Sequence, residues 1–357
     1  MFPPSMGTRS EHAAPDADAS IRLTDTDAAI ARLSAVQKGY IHDPYIKHFV
    51  PRAHLQQPRP PLINVGTFVR GIAIDELVDQ WLATASRTGK QCQIVSLGAG
   101  SDTRYWRVAT GTHKDALATY IEVDFPEVTT KKAMAIRKSK DLSAILGSSP
   151  SDIRLGHGGM ALHAPKYHVL PADLRLPPAT TLSSLLATPD ETGGSPILSP
   201  LLPTLLLFEC VLVYMDPSSS DDLLRWFVDY FSAKDTPLGA VVYEMFGLED
   251  AFGKVMVNNL KSRNVSLPGA GPYPTIQTLP RRFLNTGFSA ARALTLREIR
   301  RTCIAPEELQ RLSTLEMLDE VEELDLVLEH YAVTWGLLAP APDVHTSWGG
   351  WGLREQH

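Results

Sequence analysis

Four short apolar runs in this sequence end on glycines or carboxylates, and those terminal residues are the ones that can do chemistry. In chain order they are Gly98 and Gly100, then Asp102, Glu122 and Asp124, Asp173 and Glu209. If the runs are parallel strands of an open α/β sheet, a ligand sits beyond their carboxyl ends, against these residues. The set is acidic, which excludes a pyrophosphate: the third glycine of a dinucleotide fingerprint is replaced by Thr103, and Asp102 would repel a phosphate. A ligand with a ribose diol, an amino-purine and a cationic centre suits such a rim, and S-adenosylmethionine carries all three. Glu122 or Asp124 stands about two dozen residues past Gly98, near where this fold places its ribose-binding acid. Asp173 is placed to accept from the adenine amine. The cofactor's own carboxylate needs a cation, for which Arg32 and Arg70 offer the guanidinium fork that matches a carboxylate bidentately.

The elements that must position these residues follow from periodicity. Residues 1–20 are rich in Pro, Ser, Ala and Asp and read as a disordered tail. Residues 21–90 read as a helical N-terminal extension or lid. One helix runs from Asp25, with Asp27 able to cap and Ile30, Leu33 and Val36 on its apolar face. A proline-rich irregular stretch follows, and then a helix after Asn64 that turns Phe68, Ile72, Leu77 and Trp81 inward. Residues 91–357 read as the cofactor-binding α/β catalytic domain. Its strands are predicted at Gln93–Leu97, Tyr120–Asp124, Tyr167–Leu170, Thr204–Phe208, Gly239–Glu244 and His330–Trp335. Their alternation with helices predicts a mostly parallel sheet covered on both faces. Stretches near 145–165 and 187–200, rich in Gly, Ser and Pro, read as surface insertions.

Composition narrows the function. The chain has 357 residues, 44% of them hydrophobic and 21% charged, with a net charge of -6. That balance argues against non-specific nucleic-acid binding, which neutralises many phosphates with Lys and Arg. The three cysteines, Cys92, Cys210 and Cys303, form no CxxC pair and read as small buried hydrophobes in a reducing compartment. His42, His48 and His54 recur at a non-helical spacing inside the proline-rich stretch, so no metal is expected. Neither a secretory h-region nor an apolar run approaching roughly 18 residues is present, so a cytoplasmic protein without membrane attachment is expected. The basic stretch of Lys131, Lys132, Arg137, Lys138 and Lys140 reads as a solvated helix face, and Trp348 and Trp351 as packing on the sheet edge.

Longer strings resemble the leucine carboxyl methyltransferases: His42-Asp-Pro-Tyr-Ile46, Leu97-Gly-Ala-Gly-Ser-Asp-Thr103, Glu122-Val-Asp-Phe-Pro126, Glu209-Cys-Val-Leu-Val-Tyr-Met215 and Gly350-Trp-Gly-Leu353. The resemblance runs from about Asp25 to the end. It implies a class I, Rossmann-like methyltransferase fold and methylation of the terminal leucine α-carboxylate of the protein phosphatase 2A catalytic subunit. S-adenosylmethionine would be the methyl donor and S-adenosylhomocysteine the product. By motif it implies cofactor contacts at Arg32, Arg70, Gly98, Gly100, Asp124, Asp173, Leu174 and Glu209. Arg70 or Arg32 is expected to orient a carboxylate, that of the cofactor or that of the substrate, and Tyr214 stands near enough to the Glu209 strand end to help. Where the family usually has lysine this chain has Arg32, which keeps the charge and changes the geometry. No base is required, because a C-terminal carboxyl with a pKa of roughly 3.5 is already an anion near neutrality. A monomer is expected. The alternatives are the carboxyl methyltransferase of transfer RNA wybutosine synthesis and a non-catalytic binder of the phosphatase tail. The first of these carries a long repeat domain that this sequence lacks.

Overall fold

The apolar runs form the centre of one nine-stranded sheet. The computed structural model describes residues 17–188, 195–319, 321–339 and 347–356. Its strands are β1 (Cys92–Leu97), β2 (Leu117–Asp124), β3 (Arg154–Gly156), β4 (Ala161–His163), β5 (Tyr167–Pro171), β6 (Thr204–Glu209), β7 (Leu238–Met245), β8 (Ala290–Thr295) and β9 (Tyr331–Leu338). They lie in the order β3-β4-β5-β2-β1-β6-β7-β9-β8. The five from β5 to β7 pair in parallel, while β9, β8, β4 and β3 close the two sides in antiparallel fashion. Strands β1, β6 and β7 are buried along almost their whole length, as expected of strands covered on both faces. The chain leaves β1 for β2 on one side and returns to β6 on the other, so the order reverses beside β1 and opens a crevice there.

The helices are α1 (Ala17–Gln37), α2 (Pro61–Arg87), α3 (Arg104–Ala109), α4 (Pro126–Lys138), α5 (Lys140–Leu146), α6 (Pro217–Ser232), α7 (Ala251–Lys261), α8 (Arg281–Leu284), α9 (Leu296–Thr302), α10 (Pro306–Ser313) and α11 (Val321–Glu329). Alternate strand residues feed two cores. Ile94, Leu205 and Val241 pack with α2, α9 and α11 on one face. Val95, Leu206 and Val242 pack with Leu223, Leu224 and Phe227 of α6 on the other. Among the described residues no helix is long and apolar enough to cross a membrane.

Several sequence expectations change. Residues 1–16 of the expected tail lie outside the described residues, and 17–20 are the first turn of α1. Asp27 is therefore inside α1 and caps nothing at its start. Helix α2 begins at Pro61 and not after Asn64, because proline's fixed φ and missing N–H suit the first helical position. The 145–165 stretch is not a mere surface excursion: β3 and β4 extend the sheet, and Leu162 is fully buried. Of the 187–200 stretch, residues 189–194 lie outside the described residues. Its end is stitched to β1, with the Gln93 amide donating to the Ser199 carbonyl and accepting from its N–H, both at 2.8 Å. Lys132 is no solvated cation: it is buried, donating to the Asp102 carbonyl at 2.8 Å and pairing with Glu122 at 2.5 Å. Trp348 and Trp351 pack on α2 and not on the sheet edge, with ring centroids 4.1 and 5.1 Å from Trp81. The Trp351 indole also donates to the Leu77 carbonyl at 2.8 Å.

Candidate cofactor and active site

Strand β1 ends in Gly98-Ala99-Gly100, with φ of +67° and +48° at the two glycines. Backbone in this left-handed region disfavours any side chain, and a Cβ at Gly98 would come within 2.5 Å of Val211. The turn is fastened to β2: Gly98 N–H donates to the Val123 carbonyl and Gly100 N–H to the Asp124 carboxylate, both at 2.7 Å. The other Asp124 oxygen accepts from Phe125 N–H at 2.7 Å. Burial raises this carboxyl to about 6, against the pull of the two amides. Glu122 and Asp124 lie in different surroundings. Glu122 lies inside the protein, bonded by Lys132 and by the Tyr167 hydroxyl at 2.8 Å, and Asp124 borders the crevice.

The crevice is a cavity of about 390 Å³ roofed by α1, with Thr67, Arg70 and Gly71 of α2 along its border. This is within the roughly 300–1,000 Å³ range of small-ligand sites. Arg32, Arg70, Gly98, Gly100, Asp124, Asp173, Leu174, Glu209 and Tyr214 all border it. The structure thus brings these nine residues to one place, while Glu122 stays apart from them. Arg70, on α2, donates through Nε to Glu209 at the end of β6 at 2.8 Å, with its guanidinium 4.4 Å from the Tyr243 ring centroid. Arg32, on α1, pairs with buried Asp43 at 2.5 Å. Asp43 also accepts from the Thr103 hydroxyl and from the N–H groups of Tyr45 and Ile46, which gives the His42-Asp-Pro-Tyr string its structural role. Asp173 is chelated by Arg175, at 2.9 Å to one oxygen and 2.7 Å to the other. Tyr214 sits on a short turn, Leu212–Tyr214, and burial pushes its phenol well above the usual range, so it remains a donor at neutral pH.

Sequence reasoning missed several residues here. Arg104 is almost wholly buried and joins three acids: Asp75 at 2.9 Å, Asp102 at 2.6 Å and Glu209 at 2.8 Å. Burial would raise the Glu209 carboxyl, but Arg104 and Arg70 hold it far below its usual range. The signal was Asp102 itself, since an acid at a buried turn needs a cation near it. Phe125 lies under two guanidiniums, Arg175 at 5.2 Å and Arg22 at 5.9 Å, within cation–π range. Asp25 of α1 accepts from Ser101 N–H at 2.7 Å, which ties the roof to the glycine turn. Tyr243 and Tyr331 stack at 5.5 Å beside Arg70 and complete an aromatic wall.

A doubly wound sheet with this glycine turn, an acid closing β2 and another closing β6 defines an S-adenosylmethionine-dependent methyltransferase. Comparison with known proteins narrows the class. The leucine carboxyl methyltransferase family profile matches residues 21–228. The chain is 44% identical to leucine carboxyl methyltransferase 1 of Cryptococcus neoformans, over 89% of this chain and 93% of that one. It is 36% identical to the Arabidopsis thaliana homolog, over 89% of each chain. It is 34% identical to the Bos taurus protein, over 89% and 90%. Among solved structures it is similar to a putative methyltransferase from Thermobifida fusca, at 16% identity and a TM-score of 0.47, covering 92% of this chain and 98% of that one. The chain belongs to the leucine carboxyl methyltransferase family.

Proposed function

We propose that this enzyme methylates the C-terminal leucine α-carboxylate of the protein phosphatase 2A catalytic subunit, acting as a cytoplasmic monomer. The observation that carries this reading is Arg70, held by Glu209 at 2.8 Å inside the cavity that Gly98, Gly100 and Asp124 rim. The residues present fit the cofactor: the glycine turn, packed too closely on Val211 and Asp25 to admit a Cβ, borders the cavity with its backbone, Asp124 offers acceptors suited to a diol, and Leu174 and Phe125 supply an apolar wall. Bound S-adenosylmethionine supplies the methyl group, which the carboxylate oxygen takes in line as the carbon–sulfur bond breaks, leaving S-adenosylhomocysteine.

The chain's own contribution is orientation. The substrate carboxylate is already ionised, so no residue has to remove a proton. Among the described residues Arg70 hydrogen-bonds through Nε alone, so its two terminal nitrogens are available to grip a carboxylate in a fork. Glu209 and the Tyr243 ring fix that fork from below, and Arg104 fixes Glu209. Tyr214, protonated, donates from the adjoining wall. Buried Tyr243, with half-buried Tyr214 and Tyr331 beside it, limits the access of water to the carboxylate oxygen. Holding reactants in this way lowers a barrier by roughly 7–11 kcal/mol in favourable cases.

The reading is tested by supplying the cofactor with either the phosphatase catalytic subunit or transfer RNA and following S-adenosylhomocysteine release. Release with the subunit and none with RNA supports it. The converse would transfer the chain to the wybutosine-type reaction.

A further inference from the structure

Behind the wall that carries Tyr214 lies a buried ion pair that the proposed reaction does not touch. Glu244 on β7 lies between Tyr243 and Met245, which border the cavity, so its side chain points to the opposite face of the sheet. There it meets Arg282 of α8 at 2.9 and 3.1 Å, both groups about 2% exposed. The same Arg282 nitrogen reaches the Gly269 carbonyl at 3.3 Å, and its guanidinium lies 4.5 Å from the Tyr273 ring centroid. Among the described residues Arg282 Nε and Nη1 have no acceptor. A buried pair satisfied on so few sides gives little net stability, because the cost of leaving water offsets the attraction. What it does give is a fixed distance between β7 and the short Pro268–Ala270 turn. That turn presses on the one bearing Tyr214: a Cβ at Gly269 would collide with the Leu212 carbonyl and lie 3.0 Å from that of Met215.

We propose that Arg282 is a positioning residue for methyl transfer, clamping the Pro268–Ala270 turn against Leu212–Tyr214 so that the Tyr214 hydroxyl is held in the cavity. This rests on the reading in which Tyr214 meets the substrate carboxylate. Removing Arg282 alone strands a buried carboxylate and threatens the fold, so the informative variant replaces both partners, Arg282→Met with Glu244→Met. Such apolar exchanges of buried pairs commonly keep or raise stability. Gly269→Ala disturbs the same contact without changing any charge.

Each variant is compared with wild type for melting temperature, cofactor affinity, kcat and KM, and for the 19F resonance of 3-fluorotyrosine placed at position 214. The double variant is expected to melt near wild type and to bind S-adenosylmethionine within about twofold. Its kcat is expected to fall by up to roughly 10²-fold, the cost of about 1 Å of misplacement, and its Tyr214 resonance to shift or broaden. Gly269→Ala is expected to move the resonance in the same way. A folded double variant with wild-type kcat and an unmoved resonance would overturn the proposal. If wild type itself does not methylate the phosphatase subunit, the reading of the substrate fails, and the resonance alone still decides the positioning.

Discussion

At the scale of single residues the site is an arrangement of charges in which Asp43, Asp102, Asp173 and Glu209 are each paired with an arginine, while Asp124 accepts from two backbone amides. Among the described residues Arg70 is held at one nitrogen only, so Arg70→Ala is expected to cost methyl transfer about 10²-fold or more. Arg104 would still hold Glu209 and keep the variant folded. Steady-state kinetics checks this, and near-normal turnover would remove Arg70 from the site. Asp124 yields a pH prediction. Burial raises its carboxyl to about 6 before any ligand arrives, while a ribose diol donates to the ionised form. Cofactor affinity should therefore be highest above pH 6 and fall as pH drops through it, by about tenfold per unit at the steepest. Calorimetric titrations across that range, with Asp124→Asn lacking the inflection, measure the effect. Equal affinity on both sides of pH 6 would show that Asp124 does not accept the diol.

At the scale of elements the crevice is rigid below and loosely roofed above. Its floor is the parallel centre of the sheet, backed by α2 through Trp81, which is fully buried against Trp348 and Trp351. Trp81→Ala should destabilise the fold by about 3–5 kcal/mol in urea unfolding. A loss below about 1 kcal/mol would mean that the cluster does not anchor α2. The roof is different. The first half of α1 is tied down by Asp18 to Arg175 at 2.7 Å, Asp27 to Arg263, and Asp25 to the Ser101 amide. The two ion pairs are partly exposed, and such pairs contribute roughly 0–1 kcal/mol each, less in salt. Hydrogen exchange in residues 17–30 is thus expected to outpace that in β1, to speed up with salt and to slow when cofactor binds. Protection equal to that of β1 in every condition would refute a movable roof.

At the scale of the whole molecule, legibility in the sequence follows burial. The six strands read in advance (β1, β2, β5, β6, β7 and β9) are apolar runs, most of them covered on both faces, and burial on both faces writes a continuous signal. Strands β3 and β8, on the sheet edges, mix exposed and half-buried residues, and β4 has only three residues, so none of these could be told from loop. The strand-end residues that border the cavity were legible because α/β topology brings strand ends together whatever lies between them. Arg104, Lys132 and Arg282 were not, because a buried cation looks like a surface one until its acid is located in space. The central claim, that this molecule esterifies a C-terminal leucine carboxylate, is tested most directly with methyl-labelled S-adenosylmethionine. The acceptor is the phosphatase catalytic subunit, intact or lacking its last residue, and the readout is label that alkali releases as methanol. Alkali-labile label on the intact subunit alone is the expected result. Label on both forms, label stable to alkali, or no label with cofactor binding intact would contradict it.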